Sequence, residues 1–370
     1  MVGGAAPRAR GRWLMLGVAV ALALLVVVGR LQQGDLASDR PAPAPVASTT
    51  TARPLPVTAT IGLGASPGPQ FATWSQLMVG DGRLWVVVDG VLVGVDPRRP
   101  IAMARIRLGR PGDFVNLLAV GAGGVWVGTG AGVVRVDPVT SRVVATLPDD
   151  NPPWAAGAGS LWSVHCSSER GPCRLLRLDP RNLHVTAGFP LPGPAGSLAV
   201  GEGSAWLLDG QGGWVWRVDL TGGRVARVRL PSASGSADVP GQLVIGEGAV
   251  WVLTSVESPT RLGVRVDLGL VRIDPHTNRV SATTPLADLD SGAYQVQLAV
   301  GAGGVWVEGQ HRQDGQARAV IDRVDPASGR LRGRIETGDP NPAALAAGFG
   351  ALWLLRPGAD ALLRLEPAAM

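Results

Sequence analysis

Val120-Gly-Ala-Gly-Gly-Val-Trp126, with Arg135-Val-Asp-Pro138 close behind it, is one of seven versions of the same phrase. The others end at Trp85, Trp162, Trp206, Trp251, Trp306 and Trp353, and read VGDGRLW, AGAGSLW, VGEGSAW, IGEGAVW, VGAGGVW and AGFGALW. Each is trailed by a second motif: GVDP (94–97), RVDP (135–138), RLDP (177–180), RVDL (217–220), RIDP (272–275), RVDP (323–326) and RLEP (364–367). Successive tryptophans stand 41, 36, 44, 45, 55 and 47 residues apart. Such a period fits a four-stranded blade and is too long for leucine-rich or ankyrin units.

The second copy parses into strands at Leu117–Val120, Val125–Gly128, Val133–Asp137 and Arg142–Leu147. Gly121-Ala-Gly-Gly124 supplies the first turn, and Asp137-Pro138-Val139-Thr140 fits a type I turn. Apolar residues fall at consecutive strand positions, as expected for a sheet covered on both faces. The tryptophan recurs at one position in every copy, which reads as packing between blades and not as a sugar-stacking platform. The seventh copy ends after its third strand, at Pro367-Ala-Ala-Met370. Pro56-Val-Thr-Ala-Thr-Ile61 has the β-branched character to supply the fourth and leave no open edge. The fold expected is all-β: a seven-bladed β-propeller of four-stranded antiparallel blades over 56–370, closed by an N-terminal strand.

Ahead of it, Arg8, Arg10 and Arg12 precede an uncharged run from Trp13 to Val28. As a helix this run reaches about 25 Å, enough for a bilayer core. The reading is a cytoplasmic basic tail over 1–12, a transmembrane signal-anchor helix over 13–29 and a Pro/Ala/Thr-rich linker over 30–55, which holds an extracytoplasmic domain off the membrane. The alternative is a cleaved signal peptide and a secreted domain, although Gly29 to Gln33 makes a poor cleavage site.

All 34 basic residues are arginine, and the formal net charge is +5. Residues 1–55 hold six Arg against Asp35 and Asp39, a balance of +4, leaving +1 for the rest. A nucleic-acid binder concentrates cations on its folded part, so nucleic acid is not an expected partner.

The alternation of GxGxΦW with RΦDPxTxRV resembles the streptogramin (virginiamycin B) lyase-like and YVTN/NHL-like propellers of actinobacterial type. The resemblance covers the whole ring and rests on structural motifs. Lyases of that group use histidine with acidic groups and a magnesium ion on the loop face. Only Glu308 with His311, in the sixth copy, offers the combination here; His276 of the adjoining fifth copy belongs to a three–four turn, on the face opposite the long loops. No catalytic residue is carried across, and Glu308 and His311 stand as an acid–base candidate only.

Extra residues collect in the two–three loops and the connections between copies, at 163–174, 231–241, 254–268, 287–295 and 308–319. Both classes emerge on one face of a propeller, which makes that face the candidate binding surface. Its polar residues are Asp113, Asn116, Asp149, Asp150, His165, Glu169, Asp288, Asp290, Arg312, Asp339 and Asn341, together with Glu308 and His311. Cys166 and Cys173, close together outside the membrane, are expected to form a disulfide. With only His165 beside them a metal site is not expected. No P-loop, GxSxG elbow or HExxH motif occurs, and no lysine is present for a Schiff base. The expectation is a membrane-tethered binding scaffold without a cofactor, for an unknown protein, peptide or envelope glycan. The alternative is a metal-dependent lyase or hydrolase on the same face.

Overall fold

The computed structural model describes residues 56–64, 76–110, 115–147, 152–168, 171–210, 213–231, 241–260, 263–286, 289–290, 296–313, 316–337, 344–356 and 360–367. Within these ranges the side chains of 256–267, 290, 312–313 and 316–317 are left undescribed. The tail, the apolar run at 13–29 and the linker lie outside the described residues. Among the described residues no helix is long and apolar enough to cross a membrane.

The described residues form seven antiparallel sheets. Blade one runs Gln76–Gly80, Arg83–Val88, Val91–Asp96 and Ile101–Arg107 from the axis outward. Blades two to six repeat this order, and blade six carries one added short strand, Leu289–Asp290. Blade seven holds Ala344–Gly348, Ala351–Arg356 and Ala361–Leu365, and Val57–Gly62 pairs antiparallel with the last of these. Each blade's innermost strand packs on the innermost strand of the next, the seventh against the first included. The core is correspondingly divided into seven apolar clusters. Each bridges two neighbouring blades, from Trp85 with Leu117 between one and two to Trp353 with Val86 between seven and one.

The repeated phrase is explained position by position. Its two central residues both take positive φ, as in Ala122 (53°) and Gly123 (75°), the type I′ hairpin whose twist matches the flanking strands. The glycine before them sits against the next blade. A Cβ on Gly80 would meet Val120 Cγ1 at 2.4 Å, one on Gly157 Val200 at 2.6 Å, and one on Gly348 Val79 at 2.8 Å. In five copies, all but those of Trp85 and Trp206, the carbonyl of that glycine accepts the indole N–H five residues later, at 3.0 Å for Trp126, Trp162 and Trp306. All seven tryptophans are at most 1% exposed and fill the wedge toward the following blade.

The arginine of the second motif lies opposite the tryptophan in register and places its guanidinium over the indole. The distances run from 5.3 Å for Arg217 on Trp206 to 6.0 Å for Arg364 on Trp353. In blades four, five and six it also crosses to the next blade: Arg217 to Pro275 O (2.8 Å) and Asn278 (2.9 Å), Arg272 to Pro326 O (3.1 Å), Arg323 to Pro367 O (3.1 Å). Blade one has Gly94 opposite Trp85, where a Cβ would press on the indole at 3.0 Å. Arg83 takes over from the neighbouring strand, standing over Trp85 at 5.9 Å and bonding Ser141 at 2.7 Å in blade two.

Candidate functional site

Antiparallel order puts all one–two and three–four turns at one end of the ring, and all two–three hairpins and blade connections at the other. The three–four turns are tied by the motif aspartate. Asp137 accepts Val139 N and Thr140 N at 2.8 and 2.7 Å, and Ser141 follows with φ 56°. The turn is thus a type I turn extended by a left-handed residue. The carboxyls held low by such N–H donors are Asp96, Asp137, Asp219, Asp274 and Asp325. For Asp219 the Thr221 hydroxyl dominates and brings it to about 2; for Asp325 the Ser328 N–H does so, again to about 2. Perturbed carboxyls often mark chemistry, but these five mark turns.

The other end differs in height from blade to blade. Blade two turns over after Gly124–Thr129 and Gly132–Asp137. Blade five extends the same hairpin to Ala249–Thr260 and Gly263–Asp274, paired in register up to Thr260 with Gly263. Blade six reaches Gly304–Gln313 and Gln316–Val324. Within the stretches 254–268 and 308–319, expected as loops, the described residues form strand ladders. Their polar and small residues read as loop, yet the ladder satisfies the backbone groups without needing an apolar face. In blade three Cys166 and Cys173 are register partners and form the disulfide, stapling the end of that hairpin.

Around the inner mouth, side chains bond the backbone of the next blade's inner strand. Gln76 Oε1 accepts from Leu117 N, Ser197 Oγ from Leu243 N at 3.3 Å, and Gln242 Oε1 from Leu298 N at 2.8 Å. These contacts escaped the sequence reading because one amide or hydroxyl at a strand start carries no spacing signal.

Among the sequence candidates, Asn116 opens the inner strand of blade two and is half-buried, and His165 is exposed opposite Arg174. Asp290 pairs with Gln310, and Leu289 with His311, so the short strand at 289–290 lies along the extended hairpin of blade six. Arg312 pairs with Ala317 farther up that hairpin. Asp113, Asp149, Asp150, Glu169, Asp288, Asp339 and Asn341 lie outside the described residues, as do the side chains of Asp290 and Arg312. Glu308 is 2% exposed, opposite Ile321, and His311 follows three positions along the same strand, opposite Arg318. Successive strand residues alternate faces, so an odd offset puts the two side chains on opposite sides of the blade. Glu308 shares its face with Trp306, toward blade seven.

Blade six also buries Gln310, Thr337 and Asp322. Asp322, fully buried, takes a bidentate pair from Arg334 at 2.6 and 2.8 Å. It occupies the strand position filled by Val134 in blade two and Val271 in blade five, a polar pair in place of an apolar contact. A sequence signal existed: Asp322 stands directly before the motif arginine, where other copies place Val134, Leu176, Trp216, Val271 and Leu363. No group of three His, Cys, Asp or Glu able to hold a metal is found among the described residues.

No protein-family model matches the chain, and no curated protein sequence does. Its fold is shared with solved structures. Hydrazine synthase of Kuenenia stuttgartiensis aligns over 88% of this chain and 100% of that chain, with TM-score 0.57 and 11% identity. The Cps50 (Swd1) β-propeller domain of Myceliophteria thermophila aligns over 84% and 99%, with TM-score 0.54 and 11% identity. Identities this low speak for the propeller architecture alone.

Proposed function

We propose that the protein is a membrane-tethered, extracytoplasmic propeller that binds a macromolecular partner without turnover on its hairpin-bearing face. The observation that carries the reading is the unequal height of that face. Two long hairpins, in blades five and six, and a disulfide-stapled one in blade three stand on a ring whose repeated polar motifs are engaged in turns and in contacts between blades. Rigid projections on a rigid scaffold make a recognition surface. The partner classes that suit it are a protein, a peptide or an envelope glycan. Residues 13–29 act as the anchor and 30–55 as the spacer, with secretion after cleavage as the alternative. Within the propellers, the GxGxΦW and RΦDP motifs favour the streptogramin-lyase-like and YVTN/NHL-like group, and Val57–Gly62 serves as the strand that locks the ring.

The test is capture from envelope extract on the full chain, compared with a variant whose 256–267 hairpin tip is replaced by a two-residue turn. A partner retained by the first and lost from the second, at equal thermal midpoint, is the expected result. Equal capture by both overturns the assignment of the face. The lyase alternative needs Glu308 and His311 to act together, and strand alternation separates them. Magnesium-dependent turnover that disappears in His311→Ala would install that alternative in its place.

A further inference from the structure

We propose a second surface, at the short-turn end where blades seven and one meet, that rests on an anionic lipid leaflet and holds a lipid phosphate in the cleft there. The proposal builds on the tether reading of residues 13–29 and deepens it. Three observations converge.

The first is where exposed apolar side chains sit. Seven of the nine large ones among the described residues belong to blades seven, one and two, Ile101 (57%), Met103 (53%), Val144 (53%) and Phe349 (45%) among them. All of these lie in the short turns or the first residues of the fourth strands. The far ends of the same strands carry none. An apolar patch gathered on one end of a ring is a contact surface.

The second is the cleft of about 510 Å³ at this seam, lined by Thr58, Pro97, Arg98, Phe349 and Arg364 among others. At this seam the motif arginine stays on its own blade, as Arg135 and Arg177 do in blades two and three. Arg217, Arg272 and Arg323 reach across to the next blade's turn, whereas Arg364 bonds Thr58 on its own blade's outer strand at 2.9 Å. Exposed Arg98 and half-buried Arg364, the latter also stacked over Trp353, thus bring two guanidinium groups to an aromatic and proline-lined hollow. Guanidinium forks match phosphate oxygens, and the rim supplies apolar area for the headgroup–acyl boundary.

The third is the chain's own path. Residues 1–55 join the ring at Pro56, whose carbonyl bonds Glu366 N at 3.1 Å beside Val57. Val57 begins its strand at the short-turn end. The tether therefore enters next to the patch, and the hairpin face points the other way. A lipid leaflet fits better than a free phosphate, which would leave the apolar rim uncovered. It also fits better than a second copy, since a two-fold axis there would set Arg98 near its own mate.

The experiment uses the chain from residue 49 onward, which retains Val57–Gly62 and all seven core clusters. Sedimentation with phosphatidylglycerol vesicles is compared with phosphatidylcholine vesicles. Binding to the first alone, weakened by salt, is expected, and Arg98→Glu and Met103→Asp should each lower apparent affinity about tenfold at unchanged thermal midpoint. Equal or absent binding to both lipids, or unaltered variants, overturns the proposal. So does displacement by soluble glycerol phosphate with no loss in Met103→Asp, or self-association that either variant abolishes. Carbonate extraction of the full chain reads the tether separately. A chain that resists extraction while the ring ignores phosphatidylglycerol sinks this proposal alone; a chain that is released while the ring binds upholds it and sinks the tether.

Discussion

Arg217 does two things at once: it covers the indole of Trp206 at 5.3 Å and reaches Pro275 O and Asn278 in the following blade. Removing it uncovers a buried ring and leaves two acceptors at the junction unfilled. Arg217→Ala should cost about 2 kcal/mol, measured by urea denaturation. Arg224→Ala, at the exposed residue just before the same blade's outer strand, should change stability by less than about 0.5 kcal/mol. The turn aspartates give a pH signature. Asp219 is held at about 2 by the Thr221 hydroxyl and then by the N–H groups of Gly222 and Thr221. Its ordinary value is about 3.9, so the folded state favours the ionised form. That contribution is complete above about pH 4 and vanishes as pH falls through the folded value. Stability should therefore decline on acidification across that window, and Asp219→Asn should flatten the decline in denaturation curves taken at successive pH values. An unchanged slope would mean the turns are not where the protons bind.

Val57–Gly62, whose β-branched residues suit a strand, pairs antiparallel with Ala361–Leu365. Ile61 is 3% exposed within the cluster between blades seven and one, and Val57 is 42% exposed on the same strand. Ile61→Asp buries an unpaired carboxylate and should cost on the order of 3 kcal/mol, whereas Val57→Asp should stay within about 0.5 kcal/mol. Thermal midpoints of the two variants decide whether this strand secures the seam. The blades were legible because each motif position answers to a local constraint: a left-handed turn pair, a glycine beneath a neighbour's side chain, a tryptophan wedge. The hairpins of blades five and six were not. Runs such as Ser255-Val-Glu-Ser258 and Gln310-His-Arg-Gln313 carry the composition of loops, and only the ladder partner across the turn makes them strands. Glu308 was legible as a candidate but not as buried, since an inward acid and an outward one look alike without the neighbouring blade. The exchange of Arg83 for the missing motif arginine at Gly94 needs the sheet register, which spacing does not supply.

A ring of blades differs from an open array in having no terminal unit. Each of the seven clusters draws on two neighbours, so no blade's core is complete unless both flanking blades are in place. The close contact of glycine with the next blade's apolar residue likewise passes from Gly348 to Val79 and so has no first or last member. In linear repeat proteins the ends fray first, and local stabilities add through nearest neighbours. Here the loss of one blade opens two edges and strips two clusters, so partial states carry a large penalty and unfolding should be concerted. Leu208→Ala at the junction of blades four and five, and Leu84→Ala at that of seven and one, each remove a side chain at most 3% exposed. Each should cost about 2–5 kcal/mol. Both should move one and the same transition, with far-UV circular dichroism and tryptophan fluorescence coincident and the urea dependence unchanged. Separate transitions, or a variant that melts one region ahead of the rest, would show that the blades are stabilised one at a time and that the ring confers no cooperativity.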